Sequence, residues 1–480
     1  MRVAIIGAGP AGIAAGHELR RQGFSEFTIF DALDAPGGTW RQHSYPGLAC
    51  DVWAHSYTFS YAPNPEWSAS FVGYAEIQAY LADCATRFGL NPHLRLNTRI
   101  LRAEFSADKR WQLTSDAGPE GEFDAVINCM GNQHTPLYPD VEGRETFAGE
   151  SWHSTEWNHA VDLTGKRVVI VGSAAAAVQI VPEVAKVAGH LTVLQRSANW
   201  IMPRRRKTYS AAQRRRFRRF PRLIGATRAL QGLMMGQVAH AVTLGHKRMD
   251  QFESMVKKYI NETVDDPALR EVLVPDSRYG CKRGLVSDDF YPALNRDNVS
   301  LVPQGLARVT PEGVVASDGT EIAADVIIYC TGYRILDYDR IEVLGRDRQS
   351  LADTMGAHQR AHKGICVPGF PNYFFAVGPN GLVLNVSYFV TVERNVRTIV
   401  GLLKQLQDNG AQSLEVTREA FEQYNDWMDG RFSKFSWGNS ATCSSYYINA
   451  DGHAPFLFPG TFKEYRKLHE AMSLAEFRQA

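Results

Sequence analysis

The sequence offers no paired-cysteine motif, no surplus of either charge and no long apolar run. Its seven cysteines, Cys50, Cys84, Cys129, Cys281, Cys330, Cys366 and Cys443, contain no C-x-x-C, and their number is odd. That pattern disfavours a zinc site, a disulfide framework and a dithiol redox pair, and it fits a reducing cytosol. Fifty-two basic residues against 51 acidic ones leave a formal charge of +1, which argues against nucleic acid or another polyanion as the main partner. The most apolar segment, around Leu230 to Leu244, is short and broken by Gln237 and His240, so no membrane span is expected. The chain opens directly on the strand-like run MRVAIIGAG, leaving no room for a signal peptide and pointing to a cytoplasmic protein. At 480 residues it is too long for one core, and two or three domains are expected.

Two strand–glycine–helix units are present. RVAIIGAGPAGIAAGHELRRQG is followed by FTIFDA. An apolar run ends at Gly7, and Gly7-Ala8-Gly9-Pro10-Ala11-Gly12 opens an alanine-rich helix. The first glycine of such a fingerprint allows a tight turn, the second lets backbone approach a pyrophosphate, and the third lets helix pack on strand. Asp31, at the end of the next apolar run, is placed to accept hydrogen bonds from a ribose. The second unit is KRVVIVGSAAAAVQIVPEVAKVAG followed by HLTVLQRS. Its turn is Gly172-Ser173-Ala174-Ala175-Ala176-Ala177, and alanine at the second position crowds the pyrophosphate approach. Arg196 falls in the same register as Asp31. An acid there suits a free 2′-hydroxyl and an arginine suits a 2′-phosphate, so the first unit is expected to hold FAD and the second NADPH. The segments around FDAVINCMGNQ and ADVIIYCTGYRI each read as a buried strand entering a glycine turn, which gives both nucleotide domains one plan.

The stretch FAGESWHSTEWNH joins the two units. Its Phe147-x-Gly149-x-x-x-His153-x-x-x-Trp157 pattern resembles the fingerprint of type I Baeyer–Villiger monooxygenases, class B flavoprotein monooxygenases related to the flavin-containing monooxygenases. GGTW (37–40), YPGLACDV (45–52), LQRSANWIMP (194–203), LNRDNVSLV (294–302) and FPNYFFAVGPN (370–380) are similar to further segments of that family. Asn158, Arg334 and the alanine-filled second turn depart from its pattern. The resemblance implies an α/β fold of two Rossmann-like domains with a helical insertion in the second. FAD would be bound by residues 1–150 with 360–480, and NADPH by 160–203 with 272–350. Residues 204–271 would be the insertion, and 147–159 an interdomain loop.

The resemblance also implies the chemistry. NADPH reduces FAD, O2 gives a C4a-peroxyflavin, and one oxygen enters beside the carbonyl of a small-molecule ketone to yield an ester or lactone. N- or S-oxygenation is the alternative. Asp51 and Arg296 would be the catalytic pair, Arg296 holding an anion and Asp51 holding Arg296. Cofactor contacts are implied for Gly7, Gly9, Ala11, Gly12, Asp31, Gly38, Thr39, Trp40, Asp51, Tyr57 and Ile100 toward FAD. They are implied for Gly172, Ser173, Ala174, Ala175, Ala176, Gln179, Gln195, Arg196 and Gly332 toward NADPH. His153 and Trp157 would be hinge residues that couple NADPH binding to domain closure, and no metal is expected. The basic stretch PRRRKTYSAAQRRRFRRFPR reads as a solvated helical insertion.

Overall fold

The structure is a computed structural model that describes every residue except Ala357, Thr442 and Ala450. Two five-stranded parallel sheets organise it. The first runs Tyr373–Phe375, Ala125–Asn128, Val3–Ile6, Phe27–Phe30, Leu94–Arg95. The second runs Val299–Val302, His190–Leu194, Arg167–Val171, Val326–Tyr329, Glu150–His153. The strands Val3–Ile6 and Val326–Tyr329, each flanked by strands on both sides, are buried along their whole length. Strands covered on both faces need continuous apolar runs, which is what the sequence supplies. Each sheet has an antiparallel appendage. Ile100–Phe105, Trp111–Ser115 and Gly118–Phe123 go with the first, and Leu306–Thr310, Gly313–Ala316 and Glu321–Ala323 with the second.

Helices Pro10–Arg21 and Ala175–Val184 leave the two glycine turns. The first packs against the long helix Tyr388–Asp408, whose apolar stripe includes Phe389, Val392, Val396, Ile399 and Leu403, all buried. The insertion is helical: Ala211–Arg219, Arg222–Ala241, Lys247–Thr263 and Pro267–Leu273. A capping box between Ser210 and Gln213 starts the first of these. Asp266 accepts from the amide of Ala268 and precedes Pro267 at the start of the last. Among the described residues, no helix is long and apolar enough to cross a membrane and no His, Cys, Asp or Glu cluster could hold a metal ion.

Two expected boundaries move. Residues 147–159 are not simply a loop, because Glu150–His153 pairs with Val326–Tyr329 and edges the second sheet. The portion of chain expected to end at 350 ends earlier, because Glu342–Leu344 pairs with Arg102–Glu104 in the appendage of the first sheet. Both are three- or four-residue edge strands, too short to show a period of two. The insertion also reaches across to the first half: Thr208 bridges to Ala69, and Arg218 pairs with Glu66 at 2.8 Å.

Candidate active site

The two glycine turns repeat one geometry. Gly7 takes φ 108° and Gly172 takes φ 107°. A Cβ on Gly7 would lie 2.5 Å from the carbonyl oxygen of Cys129, and one on Gly172 would lie 2.6 Å from that of Cys330. In each case the cysteine amide donates to the central strand, Cys129 to Ile6 and Cys330 to Val171, both at 2.8 Å. The turn is thus pinned against the carboxyl end of a neighbouring strand, where nucleotide crevices form in open parallel sheets. A cleft lined by Ala11, Cys129, Met130, Phe375 and Val377 opens beside the first helix's N-terminus.

Asp31 accepts from the amides of Ala8, at 2.6 Å, and Leu33, at 2.8 Å. Burial raises its pKa and these two amides oppose the rise. Each oxygen keeps a second lone pair for a ribose hydroxyl. Gly38 takes φ 55° and a Cβ on it would lie 2.8 Å from the Cα of Gly9, so the GGTW turn touches the fingerprint backbone. Thr39 then opens a short helix that carries Trp40. The Trp40 indole donates to the Tyr57 hydroxyl at 3.1 Å, and the two rings meet edge to face. Ile100 is buried at the start of its strand.

The structure does not bring Arg296 to Asp51. Arg296 follows the short helix Phe290–Leu294 and precedes the strand Val299–Val302. It is exposed, and its Nε donates only to Asn298, at 3.3 Å. That is the amino end of a parallel strand, opposite the end where the glycine turns lie. The partner of Asp51 is Arg283, with Nη2 2.6 Å from Oδ2 and side chains 38% and 24% exposed. Asp51 holds the Arg283 guanidinium above its usual pKa range, and burial opposes this. Tyr446, half exposed, stands beside Arg283. Its ring lies 4.3 Å from that of Tyr447, which stacks on Phe456. Cys281, two residues before Arg283, forms a disulfide with Cys443, their Cα atoms 5.4 Å apart. The expectation of no disulfide is therefore corrected. The partners are separated by 162 residues and meet only because the C-terminal loop folds back onto the Arg283 segment. The remaining five cysteines are free and buried.

At the second turn, Ser173 Oγ donates to the Ser197 carbonyl at 3.3 Å, and Asn199 donates to the Ser173 carbonyl at 3.0 Å. Ala174 and Ala175 are exposed and Ala176 is partly so. Arg196 is exposed, with its aliphatic stem against Gly305. Lys282 stands beside it and donates to Ser197 Oγ. Burial lowers the Lys282 pKa, Asp276 opposes, and the positive charge of Arg196 adds to the lowering. Two expected contacts point elsewhere. Gln195 is buried and donates to the carbonyl of Val272, in the last insertion helix, at 3.0 Å. Gln179 donates to the carbonyl of Ala49 at 2.9 Å and accepts from Tyr45. It ties the second nucleotide helix to the segment that carries Asp51.

His153 is fully buried, its Nδ1 2.8 Å from Thr155 Oγ1. Burial pushes its pKa down to about 4, so it is neutral at working pH. Its ring meets Tyr333 edge to face, and the Tyr333 hydroxyl reaches His43 Nδ1 at 3.4 Å. His153 thus reaches the first half through Tyr333, the residue after Gly332, and through its own amide, which donates to the Tyr138 hydroxyl at 3.2 Å. Trp157 packs edge to face on Trp152. Asn158, the departure from the family pattern, accepts from the amide of Ala160 at 3.1 Å, a turn that Asn makes as well as Asp.

Residues 1–343 match the flavin-binding monooxygenase-like family. A Baeyer–Villiger monooxygenase of Streptomyces coelicolor is 38% identical, over all of this chain and 92% of the relative. One of Pseudomonas aeruginosa is 36% identical over 97% and 89%. The chain belongs to the Baeyer–Villiger monooxygenases of that family. The monooxygenase also superposes on solved structures. Steroid monooxygenase bound to NADP aligns with a TM-score of 0.86 at 27% identity over 99% of both chains. Cyclohexanone monooxygenase from Rhodococcus sp. Phi1 bound to NADP+ aligns with a TM-score of 0.88 at 25% identity over 100% and 98%.

Sequence reasoning about the monooxygenase missed Lys282, Arg283, Tyr446 and the Cys281–Cys443 bond. The signal within reach was the basic pair in GCKRG, shortly after the insertion returns to the second domain. Arg334, the other departure, is held by Asp337 at 3.2 Å and Asp339 at 2.9 Å, and Asp337 is buried in the lining of the cleft beside the first helix.

Proposed function

We propose that the chain uses FAD and NADPH to place one oxygen atom of O2 next to a ketone carbonyl, with Arg283 and Asp51 as the catalytic pair. The observation that carries this reading is the Asp51–Arg283 ion pair. The balance is ketone, O2, NADPH and a proton giving ester, NADP+ and water. Bound flavin, reduced by NADPH, supplies the activation of O2.

The first turn fits a dinucleotide. Gly7 and Gly12 lie where any side chain would strike backbone, a Cβ on Gly12 coming 1.8 Å from the Gly7 carbonyl oxygen. Asp31 keeps lone pairs for the ribose. The second turn fits NADPH. Arg196 and Lys282 are adjacent cations that repel each other, and a 2′-phosphate between them relieves that repulsion.

Attack on a carbonyl by an oxygen anion spreads negative charge over the attacking oxygen and the tetrahedral adduct. Arg283 stays charged at any working pH and holds a fixed fork of donors toward that charge. Asp51 accepts from Nη2 and fixes the fork's direction. Tyr446 and Tyr447 stand near the pair, which stays partly open to solvent. Heteroatom oxygenation proceeds through an electrophilic oxygen and has no use for an anion-holding cation, so the ion pair favours the ketone reaction. Purified protein given FAD, NADPH, a cyclic ketone and isotopically heavy O2 should yield lactone carrying one heavy oxygen. Sulfoxide from a sulfide with no ester from any ketone would overturn the reading.

A further inference from the structure

The insertion helix Arg222–Ala241 is apolar on both faces. Its inner face carries Ile224, Gln231 and Ala239, all buried. That face is fastened to the first half by Ser56 donating to Gln231 at 2.7 Å and Arg228 donating to the His55 carbonyl at 2.8 Å. Its outer face should be polar, as it is in most surface helices. Instead Leu230 is 60%, Leu233 71% and Met234 50% exposed, and Phe220 just before the helix is 52% exposed. Ala226, Ala229, Leu230 and Leu233 recur every three or four residues, so they form one stripe. Clustered apolar exposure of this kind marks an interaction surface.

Charge identifies the partner. No Asp or Glu occurs between Glu183 and Asp250. Arg215, Arg216 and Arg219 on the preceding helix, and Arg222 at the start of this one, are exposed, and among the described residues Arg218 is the one of these neighbouring cations that pairs with an acid, Glu66. Two copies of this face would bring arginines against arginines. A nucleic acid would satisfy the arginines and leave the leucines in water. We infer that this face docks the protein on an anionic lipid surface, with the helix lying in the interfacial plane. The leucines and Met234 enter the acyl boundary, and the arginines meet the headgroups. Nothing crosses the bilayer.

The test is co-sedimentation of the intact, flavin-loaded protein with phosphatidylcholine vesicles and with vesicles that contain phosphatidylglycerol in equal part. Binding to the anionic vesicles should exceed binding to the neutral ones at least ~10-fold and fall as salt shortens the Debye length below about 10 Å. Leu230→Gln with Leu233→Gln should lower binding about 10-fold. Arg215→Glu with Arg216→Glu and Arg219→Glu should lower it about 100-fold. Flavin content and turnover of a water-soluble ketone should be unchanged in both variants, which shows that they fold. Equal binding to both vesicles, no binding to either, or binding that survives both variants would overturn the proposal. So would a dimer in free solution that the leucine variant dissociates, since a second copy would then occupy the face.

Discussion

Arg283 and Arg296 make opposite predictions, and replacing each by alanine separates them. The Asp51–Arg283 pair is partly solvated, with side chains 24% and 38% exposed. Such a pair is worth no more than about 1 kcal/mol to stability, so Arg283→Ala should fold and keep its flavin. Its loss removes the fixed cation at the developing oxygen anion. One well-placed donor of that kind contributes about 3–4 kcal/mol, or roughly 100- to 1,000-fold in kcat. Arg283→Lys keeps charge but not the planar fork, and its rate should lie between the two. Arg296→Ala removes an exposed side chain bonded only to Asn298. Its effect should stay within about 0.5 kcal/mol on stability, and ester formation should be unchanged. The assay has two arms: anaerobic stopped-flow reduction of the flavin by NADPH, and gas-chromatographic measurement of ester. Arg283→Ala should reduce its flavin and form almost no ester. Ester at near wild-type rate from Arg283→Ala, or its loss in Arg296→Ala with reduction intact, would refute the assignment.

Arg196→Ala together with Lys282→Ala should raise the KM for NADPH by about 10- to 100-fold, as expected for charge-assisted bonds to a phosphate; the KM for NADH, which lacks the phosphate, should not move. Burial holds His43, His134 and His153 at a pKa of about 4, below the ordinary 6.5. Their contribution to stability is complete above pH 6.5 and is lost as pH falls toward 4, each costing about 2 kcal/mol by pH 5; melting temperatures across that range should drop steeply, and His153→Asn should flatten the curve. Cys281→Ser opens a loop of 162 residues, worth at most about 5 kcal/mol in the chain-entropy view. It should lower the melting point and slow ester formation more than flavin reduction, and dithiothreitol should reproduce both effects in the wild type but not in the variant.

The glycine turns could be read from sequence because their requirements are local. Gly7 and Gly172 need positive φ and a bare Cα, and nothing distant decides that. Arg283 meets Asp51 only when the insertion returns, a tertiary event with no spacing to announce it. Arg296 shows the converse. Its segment is similar to a family segment, but it stands at the amino end of its strand, away from the crevice. Gln179 and Gln195 lie on the right elements, yet their amides are taken by the carbonyls of Ala49 and Val272. A sequence places a side chain near a site more readily than it says where the side chain points. The edge strands Glu150–His153 and Glu342–Leu344 escaped because each draws its identity from the partner it joins.

Those two strands have a consequence for anyone recombining such enzymes. The chain crosses between its halves on the way to each of them, and the disulfide and Gln179 add ties at other places. Each half is therefore assembled from several separate lengths of polypeptide. A fragment that ends before Glu150 keeps four strands of the first sheet and lacks its edge strand Tyr373–Phe375. Functional chimeras should need paired exchange points, one on each side of an excursion. A swap confined to residues 204–271 would keep Arg283 and the Cys281–Cys443 bond, but the new insertion would have to match the first half where Thr208 bridges to Ala69 and Arg218 pairs with Glu66.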